Sequence, residues 1–192
     1  MRILLALALA ALAASSPALS QSFAKTDGVL VEYDRRSDGL PNTDPRPLVK
    51  IFGNGEIRVA IPWYSPRAGV YSGQLSASEL DRVLARLENS GILSYSPDDL
   101  KASLDSAKSA HSADTASYVS ETETSRFAFA LSGAKTLREE IFVNLRHHAL
   151  AYGKAMPDIE NAWSIDQFLH SFIHHKSLDR VAPMPVSGGV TQ

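Results

Sequence analysis

The chain has 192 residues, of which 19 are Lys or Arg, 21 are Asp or Glu and none is Cys, and its formal net charge is −2 at pH 7. The absence of cysteine excludes disulfide bonds, thiol nucleophiles and thiolate metal ligands. The nearly balanced charge gives no basic excess of the kind that binds nucleic acid or anionic membranes, so we predict no nucleic-acid partner.

The first twenty residues predict a secretory signal peptide. A short positive start at Met1-Arg2 is followed by an apolar run at 3–14 and by small residues at 15–20. This is the order of segments that signal peptidase recognises. A membrane span needs about 20 apolar residues, whereas this run has 12. We therefore predict an exported bacterial protein, periplasmic or secreted, with no membrane span after cleavage.

Cleavage is expected after Ser20, so that the mature chain begins at Gln21, and cleavage after Ala13 or Ala14 is the alternative. The remaining length suits one domain with one hydrophobic core. The predicted organisation is a signal peptide, a flexible mature N-terminus, a single α+β domain and a disordered tail, at 1–20, 21–27, 28–175 and 176–192.

The first predicted elements of the mature chain are a strand and a hairpin. Residues 28–33 predict the strand, and 34–47 form a loop with three prolines. Two strand-like segments, 48–52 and 56–61, then flank Gly53-Asn54-Gly55. Because Asn-Gly tolerates positive φ at both central turn positions, this pattern predicts a type I′ hairpin.

Two helices are predicted next. Ser76 and Glu79 have the spacing of a capping box, in which each side chain accepts a hydrogen bond from the backbone of the other residue. Apolar residues then repeat at helical spacing until Gly91. A second helix begins at Pro97. Residues 102–125 are rich in Ser, Ala and Thr and predict a frayed helix end and a mobile loop.

The C-terminal third predicts a second hairpin and a last helical region. The strands are 127–131 and 137–145, and the helical region begins at Pro157 as one helix or two short ones. The elements together predict an α+β fold. Its sheet is expected to be mostly antiparallel, with about five strands from two hairpins and the N-terminal strand, and with amphipathic helices on one face.

No pattern identifies a catalytic residue, a metal site or a cofactor site, so none is predicted. Asp166, His170 and His174 share helical spacing and could face a metal together. However, the Glu that follows the first His of a zinc-protease helix is replaced by Ser171. A solvated helix face near its C-terminus, where positive charge is favourable, explains the histidines without a metal.

The candidate binding residues are Trp63, Tyr64, Arg67 and Tyr71, which lie in the connection at 62–73. Aromatic residues and arginine dominate the binding energy of protein interfaces, and loops often carry them. The alternative is that Trp63 and Tyr71 fold back onto the core, because large aromatic side chains are mostly buried. Tyr64 and Arg67 would then be ordinary surface residues.

The segments VKIFGNGEIRVAIP and GQLSASELDRVLARLENSGILSYSPDDL resemble a hairpin-helix unit of bacterial secreted proteins. Their layout is similar to that of emfourin-type inhibitors of thermolysin-like metallopeptidases. The resemblance covers about 48–100. It implies an inhibitor-like protein, and it transfers no functional residue.

The leading hypothesis is an exported, non-enzymatic interaction module that binds a protein or peptide partner, with peptidase inhibition as its narrower form. One alternative is a small hydrolase whose Ser, His and acid meet only in three dimensions. Another is a small-ligand carrier with a pocket between sheet and helices.

Overall fold

The structure is a computed structural model that describes residues 22–39, 44–110 and 122–182. The predicted signal peptide at 1–20 lies outside the described residues, so its cleavage and the export of the chain stay predictions. Parts of the predicted mobile loop, at 111–121, and of the predicted tail, at 183–192, also lie outside them.

The described chain contains seven strands: β1 (Val29–Ser37), β2 (Val49–Phe52), β3 (Glu56–Ile61), β4 (Gly69–Gln74), β5 (Glu123–Phe129), β6 (Arg138–Val143) and β7 (Asp179–Ala182). They form one sheet in the order β6-β5-β1-β2-β3-β4-β7. Every neighbouring pair is antiparallel. The predicted α+β class with an antiparallel sheet is therefore confirmed, but the prediction of about five strands is too low.

The two additional strands come from segments that were assigned to a connection and to a tail. β4 occupies the second half of the connection at 62–73, and β7 lies within the predicted disordered tail at 176–192. β7 adds to the edge of the sheet by pairing with β4, with Tyr71 opposite Arg180. This pairing orders 179–182 although the strand is mostly exposed.

The helices are α1 (Ala77–Asn89), α2 (Pro97–Ala110), α3 (Leu145–Tyr152) and α4 (Pro157–His170), with 3₁₀ helices at Ile92–Ser94 and Ser171–His174. The predicted capping box of α1 is present: Glu79 N donates to Ser76 Oγ over 3.3 Å, and Ser76 N donates to Glu79 Oε2 over 2.9 Å. α3 was not predicted. Among the described helices, none is both long enough and apolar enough to cross a bilayer.

The predicted hairpin of β2 and β3 forms, but its turn is of a different type. Gly55 N donates to Phe52 O over 3.0 Å, which closes a turn centred on Gly53 and Asn54. Gly55 has φ of 84°, whereas the φ of Asn54 is not positive. A type I turn followed by a left-handed glycine is the usual three-residue hairpin loop. The expected type I′ turn was wrong, because the third loop residue supplies the left-handed conformation.

Phe23 lies in the segment predicted to be flexible, 21–27, yet it belongs to the core. It forms a bridge with Leu131, its side chain is 7% exposed, and its ring packs edge-on against Phe129. The ordered structure therefore begins before residue 28.

The two faces of the sheet have different partners. On β1, Tyr33 and Arg35 both bond to Asp166 of α4, so these positions face the helix. Because side chains alternate along a strand, Glu32 and Asp34 point to the opposite face. That face carries ion pairs between neighbouring strands, such as Lys50–Glu32 at 2.8 Å.

Candidate interaction surface

The connection between β3 and β4 is a loop of two successive turns. Ser65 N donates to Pro62 O over 3.0 Å, and Ala68 N donates to Ser65 O over 2.9 Å. Trp63 and Tyr64 therefore occupy the central positions of the first turn, and residues 66 and 67 those of the second. Proline at the first central position, as at residue 66, fixes φ at the value that such turns need. The loop at 62–68 thus has a defined backbone shape.

The first turn presents two exposed aromatic rings. Trp63 is 45% exposed and Tyr64 is 37% exposed. Their ring centroids are 5.8 Å apart in an edge-on arrangement. Partial burial raises the pKa of Tyr64 above its ordinary value, the charge of Asp34 raises it further, and Arg36 opposes this shift. Tyr64 therefore lies near the β1 residues that point away from α4.

Arg67, in the second turn, reaches the opposite side of the loop. Its Nη1 donates to the carbonyl oxygen of Ile173 over 3.2 Å and to Nδ1 of His174 over 2.9 Å. Its guanidinium also lies over the ring of Tyr71, 5.5 Å from the centroid. Because arginine can only donate, His174 Nδ1 is the acceptor, and the ring proton of neutral His174 is on Nε2.

Tyr71 differs from the other three candidate residues because it is buried. It lies on β4, is 9% exposed, and its hydroxyl donates to the carbonyl oxygen of Arg67 over 2.8 Å. The structure thus brings Trp63 and Tyr64 together on the surface and places Tyr71 beneath Arg67 as a support. Partner binding by these four residues stays a prediction.

A second group of polar residues is buried between the sheet and α4. Asp166 is fully buried. Its Oδ1 accepts hydrogen bonds from the Tyr33 hydroxyl at 2.8 Å and from Ser125 Oγ at 2.7 Å. Its Oδ2 lies 3.4 Å from Nη1 of Arg35, which also pairs with Glu123 at 2.7 Å. Burial, followed by the charge of Asp166, raises the pKa of Tyr33 far above its ordinary value.

This Asp166 cluster has the composition of a hydrolase site but not its geometry. A catalytic triad needs a histidine that takes the proton of an accessible serine. Ser125 is fully buried and donates its proton directly to the Asp166 carboxylate. The nearest histidine of the cluster, His170, instead packs edge-on against Tyr33, with centroids 6.4 Å apart. The cluster therefore supports a structural role, namely fixing α4 against β1 and β5.

The possible metal ligands Asp166, His170 and His174 have separate partners in the structure. Asp166 accepts hydrogen bonds from Tyr33 and Ser125, and His174 Nδ1 accepts one from Arg67. Within 22–39, 44–110 and 122–182, no group of three or more His, Asp or Glu residues could hold a metal ion. Sequence reasoning considered Asp166 but missed its actual partners, which lie 133 and 41 residues away along the chain.

The environment of His170 predicts a pH-dependent stability. Burial lowers its pKa, Arg35 lowers it further, and Asp166 partly opposes the shift. Its Nδ1 is buried with no hydrogen-bond partner among the described residues. As the pH falls from 7 through 6.5, the unfolded chain therefore takes up the His170 proton before the folded chain does. Because the unfolded state then binds more protons, the free energy of unfolding decreases as the pH falls.

The variant His170→Gln is expected to lose less stability than the wild type between pH 7 and pH 5. Urea denaturation at both pH values measures this difference. His147→Gln, on α3, is the control and is expected to follow the wild type. Equal pH dependence of the wild type and His170→Gln would contradict the assignment.

No protein-family model, curated protein or solved structure matches this chain. The chemistry of the loop at 62–68 and of its surroundings therefore supplies the basis for a functional proposal.

Proposed function

We propose that this chain is an exported, non-enzymatic interaction module that binds a protein or peptide partner through the loop at 62–68. The observation that supports this proposal is the adjacent exposure of Trp63 and Tyr64 at the central positions of a turn. Aromatic residues of this kind are enriched among those that contribute most to protein-protein affinity.

The restricted backbone of the loop supports a role in partner binding rather than that of an ordinary solvent-exposed connection. Two backbone hydrogen bonds close its turns, and Pro62 and Pro66 restrict its backbone. Arg67 fastens it to the 3₁₀ helix that follows α4. An aromatic side chain has only two χ angles, and the loop backbone is already fixed. Binding would therefore cost Trp63 and Tyr64 little conformational entropy.

The narrower proposal is that the partner is a peptidase and that the module inhibits it. The resemblance of 48–100 to emfourin-type inhibitors supports this reading, and so does the preformed loop. Complexes between peptidases and their inhibitors typically form with little change in the interface backbone. A loop whose two ends are held by paired strands, here β3 and β4, suits that mode of binding.

Site-specific photo-crosslinking tests the proposal. The photoreactive amino acid p-benzoylphenylalanine replaces Tyr64 in the full chain, produced in its own cells. The control position is Leu150 on α3, which is 74% exposed. The strand before α3, β6, is separated from β4 by four strands of the sheet. We expect a light-dependent adduct with one protein at position 64 and none at position 150, and loss of the adduct when Trp63→Ala is added.

The outcomes separate the parts of the proposal. An adduct with a metallopeptidase supports the inhibitor form, and an adduct with another protein supports only the general module. No adduct at position 64, or equal adducts at both positions, would contradict binding through this loop.

The intact mass of the isolated chain tests export, because cleavage after Ser20 leaves a chain that starts at Gln21.

A further inference from the structure

Two arginines lie beside the β4 end of the loop, and neither is paired with a carboxylate among the described residues. Arg67 donates to the carbonyl oxygen of Ile173 at 3.2 Å, and Nη2 of Arg180 donates to the carbonyl oxygen of Ala68 at 2.8 Å. Many other arginines of the described chain do form ion pairs: Arg35, Arg36, Arg46, Arg58, Arg126 and Arg138.

Backbone carbonyl oxygens accept hydrogen bonds from both guanidinium groups, and His174 Nδ1 accepts a further one from Arg67. Arg67 is further fixed over the ring of Tyr71. Arg180 packs over Gly69, where an added Cβ would lie 2.8 Å from its Nε and 3.1 Å from the carbonyl oxygen of Ala182. Each guanidinium has five N–H donors. The observed hydrogen bonds leave donors of both side chains available to a ligand.

The nearest acid in sequence does not neutralise this pair. Asp179 precedes Arg180 on β7, and neighbouring residues of a strand point to opposite faces. His174, the other side chain that contacts Arg67, is not an acid and accepts a hydrogen bond from it through Nδ1. The corner of the sheet formed by residues 67–69 and β7 therefore carries two arginines that pair with no carboxylate among the described residues, and it lies on the side of the loop opposite to Tyr64.

We propose that Arg67 and Arg180 form a carboxylate clamp that receives acidic side chains, Asp or Glu, from the partner of the loop. Arginine binds carboxylates with two parallel charged hydrogen bonds, which are stronger and more directional than neutral ones. The clamp rests on the proposed function, because it specifies the chemistry of the partner at the same loop. A partner that contacts the loop from both sides would place apolar residues against Trp63 and Tyr64 and acidic residues against the clamp.

A defined peptide tests the clamp on the purified chain. The probe is a fluorescent hexaglutamate peptide with an acetylated N-terminus and an amidated C-terminus, so that only side-chain carboxylates are offered. Fluorescence anisotropy gives its Kd at low and high NaCl concentration. We expect binding that weakens with salt, because exposed charges are screened, and no binding of the matching hexalysine peptide.

The variant Arg67→Gln/Arg180→Gln is expected to bind hexaglutamate at least about tenfold more weakly, which corresponds to about 1.4 kcal/mol. Arg146→Gln, an exposed arginine on α3, removes the same kind of charge elsewhere and is expected to change the Kd less than about twofold. The variant Arg67→Lys/Arg180→Lys keeps the charge without the fork geometry and is expected to fall between the wild type and the Gln variant.

Three results would overturn the clamp: no binding of hexaglutamate to the wild type, equal weakening by Arg146→Gln, or tighter binding of inorganic phosphate than of hexaglutamate. The photo-adduct at position 64 separates this failure from failure of the proposed function. If the adduct persists at full yield in the Arg67→Gln/Arg180→Gln variant, the module stands and the clamp does not. If the wild type gives no adduct, the proposed function fails, whatever the peptide does.

Discussion

Replacing Asp166 by alanine is expected to lower the free energy of unfolding by about 3–5 kcal/mol, the cost of removing one partner from a buried charged group. The substitution leaves the hydroxyl groups of Tyr33 and Ser125, which donate to this carboxylate at 2.8 and 2.7 Å, without an acceptor in the core. It also leaves Arg35, which is only partly exposed, with Glu123 as its remaining ion-pair partner. Urea denaturation of the variant and the wild type measures the difference.

Two further variants identify the cause of the loss. Asp166→Asn keeps an oxygen that can accept from both hydroxyl groups but removes the charge that pairs with Arg35, so its cost is expected to be intermediate. Glu160→Gln changes an exposed acid on the same helix and is expected to alter stability by no more than about 0.5 kcal/mol. A cost below about 1 kcal/mol for Asp166→Ala would mean that the cluster does not hold α4 against the sheet.

The double variant Trp63→Ala/Tyr64→Ala is expected to weaken partner binding by at least about thirtyfold, or about 2 kcal/mol, while leaving the melting temperature nearly unchanged. Both rings are substantially exposed, at 45% and 37%, so their removal leaves no cavity in the core. Titration of the partner identified by crosslinking gives the affinity, and thermal denaturation gives the stability.

Leu150→Ala is the matched control for this pair, because it removes an exposed apolar side chain from α3. It is expected to change neither quantity. A marked loss of stability in the double variant would show that the aromatic pair is a packing group. Unchanged stability together with unchanged affinity would place the binding surface elsewhere on the protein.

The elements that the sequence predicted well are those specified by adjacent residues. The capping box needs only Ser76 and Glu79, three positions apart, and it forms as expected. The hairpin of β2 and β3 needs only the Gly53-Asn54-Gly55 segment between two apolar stretches. The predicted type I′ turn was wrong. That turn belongs to a two-residue loop, whereas this loop has three residues and the third, Gly55, takes the left-handed conformation.

The elements that were missed depend on tertiary pairing rather than on local pattern. β4 contains Gly69 and Gly73, which are unfavourable in isolated strands. Gly73 is tolerated there because its backbone approaches Ser177 closely, where an added Cβ would lie 2.5 Å from Ser177 Oγ. β7 has four residues, three of them exposed, so it shows no alternation of apolar and polar positions. Neither strand has a signal that a single sequence could reveal.

The loop at 62–68 and the Asp166 cluster differ in the same way, one being marked by adjacent residues and the other only by the fold. The loop residues Trp63, Tyr64 and Arg67 could be named as candidate binding residues from the sequence because aromatic residues and arginine are concentrated in one short segment, and their binding role stays a prediction. The Asp166 cluster was not, because Tyr33, Ser125 and Asp166 come from β1, β5 and α4 and have no fixed spacing. Only the fold brings them together.

The pairing of β1 with β5 limits how early this chain can fold. β1 pairs with β5, with Val31 opposite Phe129, and the last strand ends at Ala182. When the chain emerges N-terminus first, from a ribosome or through a membrane pore, β1 emerges long before β5. The first strand therefore lacks one of its two neighbouring strands until more than half of the sequence has emerged. Non-local pairing of this kind also slows folding. The β1–β5 part of the sheet can therefore close only after β5, at Glu123–Phe129, has emerged.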